Sequence, residues 1–143
     1  MDLVIEYGLP DPALYCQLRA EAGWDVPDRE RAAHALRKSL FGVLAHNGGE
    51  TIGMARIIGD GTMNVYIQDV IVGRSHRGRG VGTGVMKAIM SRLKTEYPPE
   101  ITVGLMASRG NEPLYERFGF VARPSGPLGA GMMAALSELK SDA

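Results

Sequence analysis

The chain has a single cysteine in 143 residues, so no internal disulfide can form and nothing points to an oxidising compartment. Cys16 falls on the apolar side of an expected helix, where packing is its expected part rather than nucleophilic chemistry. Net charge is missing too. Sixteen Lys and Arg balance sixteen Asp and Glu, which removes the electrostatic case for nucleic acid or a membrane surface. No run of about 18 apolar residues occurs, so no membrane span is expected. The opening Met-Asp-Leu-Val-Ile-Glu lacks the basic region and long apolar stretch of a signal peptide, and a cytoplasmic location is the expectation. No Cys/His group has metal-ligand spacing, so no metal is expected. Two nucleotide motifs also fail. There is no Gly-x-x-x-x-Gly-Lys-Ser/Thr. A Gly-x-Gly-x-x-Gly read from Gly78 or Gly80 meets Thr83 or Val85 where the third glycine belongs.

What is present reads as one α/β domain over residues 1–143, with a mixed sheet and no repeat, low-complexity tract or linker. Residues 3–7 form a short strand. Asp11 caps a helix with Pro12 in its first turn and Leu14, Leu18 and Ala22 as its inner stripe. Gly23 ends it, and residues 24–27 are a loop. Asp28 caps a second helix to about Ser39, with Ala32, Leu36 and Leu40 inward. Strands at 41–46 and 51–58 flank Asn47-Gly48-Gly49-Glu50, a hairpin signal. After the Asp60-Gly61 turn, residues 63–72 form a third antiparallel strand. A helix runs from Gly80 to about Glu96, where Pro98-Pro99 prevents its continuation. A strand at 101–106, a short helix at about 112–118 and closing strands at 120–123 and about 132–139 complete the expected order.

The segment from Ile67 to Gly84 carries the chemistry. A β-branched strand ends in Arg77-x-x-Gly80-x-Gly82, and a helix follows with Val81, Val85, Met86, Ile89, Met90 and Leu93 at spacings of three and four. A helix start leaves about four backbone N–H groups unpaired and partly positive. Glycines let the backbone approach an anion and take positive φ, and Arg77 and Arg79 add charge. The arrangement suits a phosphate, and a pyrophosphate in particular. Its bland alternative is a glycine-rich loop with solvated arginines.

The strand ending Val70-Ile71-Val72, followed by His76-Arg77-Gly78-Arg79-Gly80-Val81-Gly82 and a helix, resembles the acetyl-CoA-binding segment of the GNAT family of N-acetyltransferases. The stretch Asn111-Glu112-Pro113-Leu114-Tyr115-Glu116-Arg117-Phe118-Gly119-Phe120 is similar to a later block of that family. The two blocks stand in the family's order and separation.

The resemblance implies a predominantly antiparallel sheet, splayed between its fourth and fifth strands and flanked by about four helices. Acetyl-CoA is the implied cosubstrate. Backbone groups near Val70, Ile71 and Val72 would pair with its pantetheine arm, since an open strand edge offers unpaired N–H and C=O groups. Backbone groups of Arg77, Gly78, Arg79, Gly80, Val81 and Gly82, with the Thr83 hydroxyl, would hold the pyrophosphate. Asn111 would bond the pantetheine region.

The implied reaction is direct attack of a primary amine on the thioester. A backbone N–H of the Asp69–Ile71 region would steady the oxyanion. Tyr115 is the candidate acid for the departing thiolate, against a half-buried packing tyrosine. Asp69 is the candidate base, directly or through water, against a salt bridge with Arg56. Glu6, Glu21, His46 and ordered water are the other bases in play.

His76 reads as a surface contact of the turn and His34 as structural. Trp24 either lines an acceptor pocket for an apolar or cationic amine or packs the first two helices together. The Gln68-Asp69-Val70 stretch is similar to stretches in family members that act on small amino sugars or aminophosphonates, which implies a small-molecule acceptor with Gln68 as a contact. Homodimers are common in the family. The competing function is a non-catalytic acyl-CoA-binding module of the same fold.

Overall fold

The computed structural model describes residues 1–142, and residue 143 lies outside them. The described residues divide into two compact units, 1–105 and those from 106 onward.

The first unit holds a five-stranded sheet in sequence order, with β1 (Leu3–Tyr7), β2 (Phe41–Asn47), β3 (Glu50–Gly59), β4 (Asn64–Val72) and β5 (Thr102–Leu105) side by side. The first four strands are antiparallel and β5 runs parallel to β4. The β2–β3 turn is Gly48-Gly49 with φ of +57° and +89°, the geometry that a two-residue hairpin of matched twist requires. Helices α1 (Pro12–Glu21) and α2 (Arg29–Arg37) start on the expected caps: Asp11 accepts from the Leu14 N–H and Asp28 from the Arg31 N–H, each at 2.8 Å. Tyr15 and Leu18 are the buried face of α1, packed with Ala32 and Leu36 of α2 and with Leu44, Met54 and Ile71 of the sheet. Helix α3 (Val81–Glu96) buries Val81, Val85, Met86, Ile89 and Leu93, the expected stripe without Met90.

Two irregularities of β4 shape the site. First, its pairing with β3 steps from Met54↔Ile71 to Arg56↔Gln68, so β4 carries one extra residue there. Asp69 takes φ of +55° in this bulge, the only described non-glycine with positive φ. Second, the parallel ladder with β5 ends at Ile67↔Leu105. Residues 68–72 continue without a partner strand on that side, which is the implied splay between the fourth and fifth strands.

The second unit contains α4 (Glu112–Glu116) and a short 3-10 turn at Leu136–Glu138. The closing strands expected at 120–123 and 132–139 do not form. Pro124, Gly126, Pro127, Gly129 and Gly131 interrupt the run, and a lone Ser125↔Leu128 bridge is the only pairing described there. Met132, Met133 and Leu136 stay more than 80% exposed. Alternating apolar residues do not make a strand without a ladder to join.

Candidate active site

Within the first unit, β4 runs through buried Gly73 into a 3-10 turn (Arg74–His76) and then into α3. The Gly73 N–H donates to the Ile52 carbonyl at 2.6 Å, which anchors the turn to the sheet. Gly78 and Gly80 have φ of +73° and +82°, and a Cβ at either would meet nothing within 4 Å. Glycine is needed here for backbone conformation and not for room. Gly80 is the N-cap of α3 and supplies no side chain, and the first turn holds no acidic residue. No side chain therefore caps the donors of Val81 and Gly82. Arg74, Arg77 and Arg79 are exposed around this end. Arg77 folds back so that its Nε donates to the Val72 carbonyl at 3.1 Å, while Arg74 reaches the Glu21 carbonyl at 3.4 Å. His76 is held between Asn47 and Ser75. Thus Val70, Ile71, Val72 and residues 77–83 share one strand-to-helix corner, a cationic one rich in backbone donors.

Asp69 sits beside that corner and is the one buried charged residue described. Its Oδ2 accepts from the Tyr15 hydroxyl at 2.5 Å and from Arg56 Nε at 2.7 Å. Its Oδ1 accepts from Arg19 Nη1 at 2.8 Å and from Gln68 Nε2 at 3.1 Å. Burial works to raise its pKa, but the bonds from Arg56, Tyr15 and Gln68 outweigh it and hold the carboxyl below its ordinary value. The opposite holds for Tyr15, whose pKa rises through burial and through the Asp69 carboxylate it faces. The Arg56 ion pair weighed in the sequence is formed. Four donors leave the carboxylate acidic and enclosed, poor qualities in a proton acceptor. Gln68 Nε2 donates to Asp69, which ties this side chain to the same cluster.

The other base candidates are also engaged. Glu6 accepts from His46 Nε2 at 2.8 Å, His46 Nδ1 meets Thr51 at 3.0 Å, and Glu21 accepts from Gln17. Trp24 packs against the α1–α2 core, and the Arg19 guanidinium lies 5.5 Å from its ring centre. This contact with the core is the packing alternative that the sequence allowed, with the protein's own Arg19 cation over the ring. Cys16 is half-buried against the same core and its thiol reaches the Pro27 carbonyl at 3.3 Å.

The sequence reading missed Tyr15 and Arg19. Their i, i+4 spacing on α1 was visible and puts both on one face with Leu18. The bulge that turns Asp69 towards them left no sequence signal. Together with Arg56 they also line a cavity of about 280 Å³ between α1 and α2.

In the second unit, Asn111 is the exposed N-cap of α4 and makes no side-chain capping bond. Tyr115 is buried and stands edge-on to Phe120 at 6.4 Å between ring centres. Burial raises its pKa, so the phenol stays protonated well past neutrality. Among the described residues no buried side-chain nitrogen or oxygen lacks a partner and the Tyr115 hydroxyl has no described partner, so that hydroxyl keeps access to solvent.

A family model described as an acetyltransferase (GNAT) domain matches residues 20–131. A Staphylococcus aureus protein of unknown function, a probable acetyltransferase, is 34% identical with a TM-score of 0.83, covering 93% of this chain and 98% of its own. A GNAT-family acetyltransferase from Streptococcus pneumoniae is 26% identical with a TM-score of 0.77, covering 93% and 97%. A chloroplastic serotonin N-acetyltransferase from rice (Oryza sativa) is 26% identical over 126 residues, which is 85% of this chain. The chain spans only 62% of that relative's length. The chain belongs to the GNAT acetyltransferase family, whose members use acetyl-CoA as cosubstrate.

Proposed function

We propose that this chain is an acetyl-CoA-dependent N-acetyltransferase acting on the primary amine of a small molecule. The observation that carries the reading is the corner where β4 residues 68–72, without a partner strand on the side away from β3, meet the uncapped, arginine-ringed start of α3. An extended pantetheine arm can add to that strand edge as a further strand would. A pyrophosphate suits the N–H groups of residues 77–83 and the helix dipole.

In the proposed reaction the amine nitrogen attacks the thioester carbonyl, and a backbone N–H of the Asp69–Ile71 stretch takes the developing oxyanion. The C–S bond breaks, and the thiolate takes its proton from Tyr115, which burial keeps protonated. The roles of Tyr115 and of Asn111 towards the pantetheine rest on the 111–120 block. With Asp69 enclosed, solvent is the proposed acceptor of the ammonium proton. Asp69 then serves by holding the bulge that sets the direction of the Val70 backbone.

The test is thiol release from acetyl-CoA over a panel of amines, for wild type and Tyr115→Phe. The expected result is acceptor-dependent release. The variant should lose about 100-fold in kcat, with unchanged affinity for acetyl-CoA. Bound acetyl-CoA with no release for any amine would assign the chain to binding alone.

A further inference from the structure

Three arginines meet at one cavity of the first unit. Arg19 and Arg56 come from the Asp69 cluster, and Arg31 comes from the first turn of α2, placed there by the Asp28 cap. Tyr15, Val26 and the lone lining carboxylate, Asp25, are among its other walls. Arg19 and Arg56 share a single carboxylate, Asp69, which leaves one positive charge of that cluster unbalanced. The Arg19 Nε and Nη1 donors are used on the Asp25 carbonyl and on Asp69, whereas its Nη2 has no hydrogen bond to any described residue. The exposed Arg31 guanidinium has none either. Unspent guanidinium donors facing a cavity are the groups that recognise a carboxylate or a phosphate.

The cavity also lies where an acceptor would need to be. The side chains of Tyr15, Arg19 and Arg56 bond Asp69, and the next residue, Val70, begins the strand edge assigned to the thioester. At about 280 Å³ it falls just under the usual range of small-ligand pockets, so it suits a small metabolite rather than a protein surface.

Resting on the transferase reading above, we infer that the acceptor is a small amine bearing an acidic group, a carboxylate or phosphate, which the Arg19–Arg31–Arg56 cavity grips while the amine faces the thioester. This is the opposite of a free cationic arylalkylamine, whose charge the three guanidiniums would repel.

The chain's only tryptophan, Trp24, stacks on Arg19 and reports on this cavity by its fluorescence. Titration with glutarate and with inorganic phosphate should give a saturable change that Arg31→Gln removes, and the better of the two probes identifies the acid. In the amine assay, 4-aminobutyrate should exceed its own amide, and phosphoethanolamine should exceed ethanolamine, by at least about tenfold in kcat/KM. Arg31→Gln should raise KM for the acidic member of each pair while leaving acetyl-CoA affinity unchanged. Flat titrations to tens of millimolar, or a preference for the partner without the acid or for tryptamine, would overturn the inference while acetyl-CoA binding stands. Saturable acid binding with no acetylation of any amine would uphold the anion site and fail the transferase reading instead.

Discussion

Asp69 is the residue on which the fold and the proposed chemistry both depend. A carboxylate with no exposed side-chain surface is costly to bury unless every lone pair is answered, and here four donors answer it. Removing its charge would leave Arg19 and Arg56 facing each other unbalanced. Asp69→Asn should therefore cost about 3 kcal/mol in urea unfolding. Its pH dependence has a definite sign. The folded pKa lies below the unfolded one, near 3.9, so the unfolded chain binds the extra proton. The contribution is fully present above pH of about 4 and drains away as the pH falls through the folded value. Wild type should lose stability over that acid range more steeply than Asp69→Asn. Equal slopes would mean that Asp69 is not the depressed group. The sequence allowed base or ion pair for this residue, and only the bulge geometry shows that the carboxylate is enclosed.

The strand-to-helix corner owes its character to what α3 lacks. Its N-cap is a glycine, its first turn has no acid, and no side chain caps its first donors. Gly82→Asp would supply an anion from the chain itself. A carboxylate in the first turn stabilises a helix by up to about 1 kcal/mol, so the variant should fold at least as well as wild type. Its acetyl-CoA Kd should nevertheless rise at least tenfold by calorimetry, through occupancy of the donors and charge repulsion. An unchanged Kd would place the phosphates elsewhere. This element was legible because its signals are local: β-branched run, glycine turn, apolar residues three and four apart. The caps of α1 and α2 and the Gly48-Gly49 hairpin were legible for the same reason. The strands expected beyond residue 119 were not, since a strand exists only through a partner, and alternation in one sequence does not say whether a partner is offered.

Across the whole molecule, secure packing is concentrated in residues 1–105, where α1, α2 and α3 cover a sheet whose central strands are buried on both faces. The order of elements through α4 was legible, and so was the splay that the resemblance implied. The electropositive cavity was not, because it is assembled from α1, α2 and β3, whose arginines lie 12 to 37 positions apart in the chain. Family membership supplies the class of chemistry, and the acceptor proposed above rests on those arginines.

The most direct measurement is the thermal unfolding midpoint of wild type with acetyl-CoA, set against ATP and NAD at equal concentration. At about 100 times its Kd a ligand adds roughly 2.7 kcal/mol, a rise of several degrees for a domain of this size. A rise with acetyl-CoA that exceeds both nucleotides is the result expected of a pantetheine-and-pyrophosphate site. No rise at millimolar acetyl-CoA, or a larger one with ATP or NAD, would contradict the account.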